Sequence, residues 1–184
     1  MVEDLCFHLV DLVQNSVAAG ARVVRVRIRE SRASDTLELE VADDGRGMDG
    51  PTLLRVQDPF FTSKSFKKVG LGIPLLKATT EACRGDFAIR SRPGRGTRIR
   101  ASMQRSHLDC PPLGDLAGTL LSLLVSLDAV DLRFSFHGAG GSFAVSSAEA
   151  RAHAGALPLS HPSIYRFLKE YIRAGLAGLL PPGQ

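Results

Sequence analysis

The sequence predicts an α+β protein: a two-layer α/β sandwich, with helices packed on one face of a mixed, mostly antiparallel sheet and a small C-terminal α/β appendage. Three observations point there. Two strictly alternating runs, "RVVRVRIRE" and "TLELEVA", read as paired strands. Amphipathic stretches precede and follow that pair, and two further alternating runs close the segment. Strands in pairs flanked by helices can bury their apolar faces only by layering one on the other.

Residues 3–19 set Leu5, Leu9, Leu12, Val13 and Val17 at helical spacing, with Asp4, Asp11, Gln14 and Asn15 elsewhere and Gly20 as a stop. In the strand pair, Val24, Val26 and Ile28 alternate with Arg25, Arg27 and Arg29, and Leu37, Leu39 and Val41 alternate with Glu38 and Glu40. Opposite charges on paired strands attract, so the arginine row and the glutamate pair are expected to face one another in water. "GPTLLRVQD" reads as a short helix, "PFFTSKSFKKVG" as a polar loop, and "GLGIPLLKATTEACRG" as a second helix stopped by Gly85. "DFAIRS" and "TRIRASMQ" are strands across the turn "RPGRG", with Thr97, Ile99, Ala101 and Met103 pointing inward.

The paired prolines of "DCPPLGD" mark a boundary, dividing the chain into residues 1–106 and 107–184. Beyond it lie an apolar helix ("LAGTLLSLLVSL"), a hairpin ("DLRFSFHGAGGSFAVSS") and a last amphipathic helix. That helix sets Ile164, Phe167, Leu168, Tyr171, Ile172 and Leu176 on one face, either to pack on the hairpin or to meet a partner.

The 184 residues, 44% hydrophobic and 23% charged, have the composition of a globular domain. No apolar run is long enough to span a membrane, and the acidic start lacks the basic flank of a secretory signal, so a cytoplasmic protein is expected. Cys6, Cys83 and Cys110 form neither a disulfide framework nor a zinc pattern and read as buried thiols. The net charge of +4 is uneven: residues 1–106 hold 18 Lys/Arg against 13 Asp/Glu, and residues 107–184 hold 5 against 6.

Chemistry concentrates in four places. "DDGRGMDG" follows the second strand, and by itself an Asp-Gly turn is most often only a connection. Asp11 and Asn15 stand at i and i+4, on one face of the first helix. "VGLGIP" puts two glycines at a helix N-terminus, where free N–H groups and the positive dipole end favour a phosphate. "GRGTRI" places Thr97 after a glycine turn.

In this order the motifs resemble the ATP-binding domain shared by sensor histidine kinases, gyrase B, MutL and the large heat-shock chaperone, the Bergerat or GHKL fold. "LVDLVQNSVAAGA" is similar to the family's N-box, "VADDGRGMD" to its first glycine box, "DPFFTSK" to the kinase F-box, "GLGI" to its second glycine box and "GRGTRI" to its last strand motif. The resemblance spans residues 3–104. It implies ATP and Mg²⁺ as ligands, with Asn15 on the metal, a hard ion suited to an amide oxygen. It implies that Asp43 accepts the adenine amino proton, that Gly45, Gly47 and Met48 admit the base, and that Thr97 supports it. Lys64, with Lys67 and Lys68, would offset triphosphate charge, and Gly70, Leu71 and Gly72 would shape the exit of a short lid.

The lid resembles histidine kinases, whereas "NSVAAGA" is similar to the MutL N-box. Asp11 stands where hydrolysing members carry a Glu general base, and its shorter side chain leaves hydrolysis to geometry. His8 precedes it by three residues and reads as a packing or surface residue rather than a phosphoacceptor; no dimerisation helix pair or phosphoacceptor sequence is evident. The expected function is a stand-alone kinase-like or ATP-driven signalling component acting on a separate protein through residues 107–184. The alternatives are a slow MutL/gyrase-type ATPase using Asp11 and a nucleotide-binding regulator without turnover. A second copy is a further candidate partner. Nucleic acid is rated below protein, because no aromatic residue interleaves with Arg25, Arg27 and Arg29 or with "RSRPGRGTRIR" to stack bases. No membrane partner is expected.

Overall fold

A computed structural model describes residues 4–58 and 72–180, and the expectations for Lys64, Lys67, Lys68, Gly70 and Leu71 lie outside these described residues. In chain order the elements are α1 (Leu5–Ala18), β1 (Val23–Ser31), β2 (Thr36–Asp43), α2 (Gly50–Arg55), α3 (Gly72–Ala82), β3 (Asp86–Ser91), β4 (Thr97–Gln104), α4 (Leu116–Ser126), β5 (Asp131–Gly138), β6 (Gly141–Ser146), α5 (Ser147–Ala154) and α6 (Pro162–Leu176). The strands form a six-stranded sheet in the order β3-β4-β2-β1-β5-β6. Only β1 and β5 run parallel; the other neighbours are antiparallel. This is the mixed α+β sandwich that the alternating runs predict.

Strand alternation separates the two faces. Val26 pairs with Val41 and Phe134, and Val41 pairs with Ile99, all buried beneath helices. The predicted charge pairing is also present: Arg27 reaches Glu40 at 3.5 Å and Arg29 reaches Glu38 at 3.7 Å. The arginines of these pairs stay half open to water, which screens them to about 0–1 kcal/mol each, so the buried face carries most of the stability.

Helix α1 starts where Asp4 accepts the N–H of Phe7 at 2.8 Å, an N-cap that satisfies an otherwise orphaned donor. Its buried face holds Leu5, Leu9, Leu12 and Val13, together with Cys6, His8 and Ser16. Val17, expected on that face, is exposed, because it lies one position beyond Ser16, which turns inward instead. Cys6 and Cys83 are buried and Cys110 is half-buried, all free. Burial pushes the Cys6 and Cys110 thiols up to about 11, which keeps them protonated and unreactive.

The segment around the paired prolines ties into α1. The carbonyls of Pro112 and Leu113 accept the N–H groups of Leu5 at 2.9 Å and Cys6 at 3.2 Å. β5 then joins the sheet beside β1, and Leu120, Leu124, Phe136 and Ile172 belong to the same buried cluster as Leu9, Val24 and Leu39. The sheet and core therefore continue across residues 106–107. Helix α5, unforeseen from the sequence, is capped by Ser146, which accepts from Glu149 N at 3.1 Å. On α6, Leu168, Ile172 and Leu176 are buried and Tyr171 meets the Phe143 ring at 5.6 Å, but Phe167 stays 57% exposed. Among the described residues no helix is long and apolar enough to cross a membrane.

Candidate nucleotide site

A concavity of about 240 Å³ opens where the C-terminal half of α1, the end of β2 and the start of β4 meet. Its lining includes Asn15 and Ser16 from α1, Asp43 from β2, Gly47 and Met48 from the following loop, and Thr97 from β4. Val41, Ile73 and Ile99 supply apolar wall. Polar groups are thus few against an apolar wall, as is usual for small-molecule sites.

Asp43 sits at the floor of this pocket, half-buried, with its carboxylate fixed on both oxygens. Oδ1 accepts the backbone N–H groups of Gly45 at 2.8 Å and Thr97 at 3.2 Å. Oδ2 accepts the Ser16 hydroxyl at 3.0 Å. A carboxylate has about four acceptor directions and no donor when ionised, so this arrangement leaves capacity on Oδ2 for a ligand N–H.

Thr97 is held in turn through Ser91. The Ser91 hydroxyl donates to the Gly96 carbonyl at 3.0 Å and accepts from Met48 N at 2.8 Å. Thr97 Oγ1 lies 2.9 Å from Ser91 Oγ, a pair in which either hydroxyl can donate, and with the Ser91 proton on the Gly96 carbonyl it is Thr97 that donates. One serine thus ties the β2–α2 loop to the β3–β4 turn.

The glycines of the loop are required by contacts within the protein. Gly47 has φ +66°, and a Cβ there would collide with the Arg92 carbonyl; Gly96 has φ +77°, and a Cβ there would collide with the Asp43 carbonyl. Arg46 N–H bonds to the Ala19 carbonyl at 2.9 Å, and Gly94 N–H bonds to the Arg46 carbonyl at 2.7 Å. Gly45 is packed so that a Cβ would lie 2.9 Å from the Ala19 Cβ. The loop is clamped between α1 and the β3–β4 turn. The neighbouring Asp44 points elsewhere, accepting the N–H groups of Arg22 and Val23, each at 2.8 Å.

Asp11 stands one turn before Asn15, beside the pocket, and packs on the first residue of α3: a Cβ on Gly72 would lie 3.0 Å from Asp11 Oδ2. The structure therefore gathers Asn15, Asp43, Gly47, Met48 and Thr97 in one concavity, whereas Gly45, packed on Ala19 and Asp43, and the contacting pair Asp11 and Gly72 are not part of its lining. Sequence reasoning missed Ser16, Ser91 and Arg46. For Ser16 a signal existed: it falls four residues after Leu12 on the apolar face of α1, where a hydroxyl needs a buried partner. Among the described residues no cluster of His, Cys, Asp or Glu could hold a metal by itself. A divalent ion here would depend on Asn15 and on oxygens brought by the nucleotide.

Residues 3–107 match the family model described as histidine kinase-, DNA gyrase B-, and HSP90-like ATPase. The sensor protein kinase FleS of Pseudomonas aeruginosa is 42% identical over 89 residues, which are 48% of this chain and 22% of that protein. The signal transduction histidine-protein kinase AtoS of Escherichia coli is 33% identical over 89 residues, 48% of this chain and 14% of that protein. The matched part thus spans less than a quarter of these curated relatives. In fold, the chain resembles the crystal structure of the N-terminal domain of a DNA repair protein, with a TM-score of 0.55 and 12% identity. That likeness covers 85% of this chain and 58% of the other, more than residues 3–107 can supply.

Proposed function

The chain belongs to the histidine kinase-, DNA gyrase B-, and HSP90-like ATPase family, and on that premise we propose that it binds ATP with Mg²⁺ in the α1–β2–β4 pocket and acts as a kinase-like signalling component on a separate protein. Membership of the family implies ATP binding, and residues 3–107 are homologous to sensor-kinase catalytic domains. The observation that carries the site assignment is the Asp43 carboxylate, held by Ser16, Gly45 and Thr97 with an acceptor direction left over.

In this reading Asp43 takes the adenine amino proton as a hydrogen bond, and Thr97 supports the same end of the base. Ile73 and Ile99 cover the ring and exclude water. Asn15 offers its amide oxygen to Mg²⁺, which supplies charge neutralisation for the triphosphate. Lys64, Gly70 and Leu71 are proposed to serve the phosphate end, together with Gly72 at the start of α3. Residues 107–184 are the proposed contact for the partner, a role supported by the exposure of Phe167 and Tyr171. A cytoplasmic location fits such a component.

A second reading, slow hydrolysis with Asp11 as general base, draws support from Asp11 lying one helical turn before Asn15 and against Gly72.

Titration calorimetry with ATP and a phosphate-release assay on wild type, Asp43→Asn, Asn15→Ala and Asp11→Asn separate these readings. Asp43→Asn is expected to abolish measurable ATP binding, and Asn15→Ala to remove its Mg²⁺ dependence. Phosphate release that disappears in Asp11→Asn while ATP still binds favours hydrolysis; no release from any form leaves transfer to a partner or a nucleotide switch without turnover. Unaltered ATP affinity in Asp43→Asn would sink the site assignment.

A further inference from the structure

We propose that the open face of the sheet carries a docking strip for an acidic segment of a partner protein, built from Arg90, Arg98, Arg25 and Arg133. The pairing registers align these residues side by side: Arg90 with Arg98, Arg98 with Ala42, Ala42 with Arg25, and Arg25 with Arg133. All four arginines are exposed and come from four different strands. At a strand spacing of about 4.8 Å, four steps set the strip at roughly 19 Å long.

Charge falls off steeply along the strands. The next row, Ala88, Arg100, Glu40, Arg27 and Ser135, holds two cations and one anion. The row after it, Asp86, Ser102, Glu38, Arg29 and His137, holds two anions and one arginine. In those rows the charges are largely used up: Glu38 pairs with Arg29 and Arg100, and Glu40 with Arg27. In the strip, Arg133 pairs with Asp131 at 2.6 Å, whereas Arg25, Arg90 and Arg98 have no ion pair among the described residues. Arg90 and Arg98 thus have no described carboxylate within ion-pair distance, and Arg25 has only the more distant Asp44 as an acidic neighbour, so three guanidinium groups able to take a carboxylate in a two-bond fork stand in a line.

The dimensions favour a protein segment over nucleic acid. The strip is one residue deep along the strands, so a duplex, with grooves of roughly 12 and 6 Å, would overhang the Glu38, Glu40 and Asp86 carboxylates. Among the outward residues of these strands no Phe, Tyr or Trp is present on which single-stranded bases could stack. An acidic extended segment laid across the strands follows the line of the arginines, with Ala42 between Arg98 and Arg25 and Asp131 beside Arg133 at its end.

The strip also backs onto the nucleotide pocket. Ala42 and Arg98 are chain neighbours of Asp43 and Thr97, and strand alternation sends each pair to opposite faces of the same sheet end. A partner seated there would bear on the strand ends that carry the pocket's polar groups.

Fluorescence anisotropy with a fluorescein-labelled peptide of alternating Glu and Ala tests the strip without using nucleotide. Binding is expected to weaken steeply with salt and to fall by about tenfold or more in Arg25→Glu/Arg98→Glu. Arg166→Glu/Lys169→Glu, on α6, is expected to leave it unchanged. Circular dichroism of the double variants checks that each still folds, and Arg25→Gln/Arg98→Gln provides a milder pair if charge reversal unfolds the chain. Peptide affinity that ignores the strip substitutions overturns the proposal. A DNA duplex bound more tightly than the peptide through the same arginines also overturns it, in favour of nucleic acid.

Discussion

The Ser16 hydroxyl, buried on the inner face of α1, lies 3.0 Å from Asp43 Oδ2 and 3.1 Å from the carbonyl of Leu12. Its single proton therefore serves either its own helix or the carboxylate, and the charged acceptor is the stronger of the two. Through this bond the first helix sets the orientation of the group proposed to read adenine. Ser16→Ala is expected to weaken ATP binding by about tenfold, as for loss of a hydrogen bond to a charged group. ITP, which lacks the amino group, should be affected less, so titration with both nucleotides separates an orienting role from a general loss of packing. Equal losses for the two would leave Ser16 with a structural role only.

Gly96 tests the clamp on the nucleotide loop. Its φ of +77° and the Asp43 carbonyl in the place of a Cβ impose two penalties on any larger residue. Gly96→Ala is expected to lower stability by at least about 2 kcal/mol, measured by urea denaturation. Gly94, also at positive φ but with open space around it, should tolerate the same change with a smaller loss.

Leu39 in β2 and Leu120 in α4 lie on opposite sides of the paired prolines, yet both are fully buried in one cluster. Leu39→Ala and Leu120→Ala should each cost about 2–5 kcal/mol. Each variant is expected to unfold in a single transition, with fluorescence and circular dichroism coinciding. Two separated transitions in either variant would mean that residues 107–184 fold as a unit of their own.

Asp44 links the fold to pH. The Val23 N–H bond, against the opposing effect of burial and with help from the Arg22 N–H, holds its carboxyl below the ordinary 3.8. A depressed folded value means that the unfolded chain takes up the proton first as pH falls. The contribution is therefore complete above the ordinary value and is lost as pH drops through the folded one. Asp44→Asn should be less stable than wild type near pH 6, and the gap should narrow towards pH 3, as followed by urea midpoints. A gap independent of pH would mean that the charge contributes nothing.

Much of this protein could be read from the residues alone, for identifiable reasons. The alternation in "RVVRVRIRE" and "TLELEVA" fixes which side chains face the core, and the observed register pairs Arg27 with Glu40 as charge demands. Asn15, Asp43 and Thr97 stand out as candidate site residues because their motifs come in a recognisable order, and the fold brings them to one concavity. Helical spacing alone does not say where the buried stripe drifts, so the exposure of Val17 is not legible from it, and the place of Ser16 four residues after Leu12 marks it as inward-facing without naming Asp43 as its partner.

The sequence by itself determined the local elements apart from α5, the two-faced strands and the family, since periodicity and motif order are properties of the chain. Tertiary structure decided what depends on register and long-range closure. It joined β5 to β1 across the paired prolines, aimed Ser16 at Asp43, and lined Arg90, Arg98, Arg25 and Arg133 into one row. A slip of one residue in any strand would send its arginine to the other face, so no reading of the strands one at a time could have placed them together.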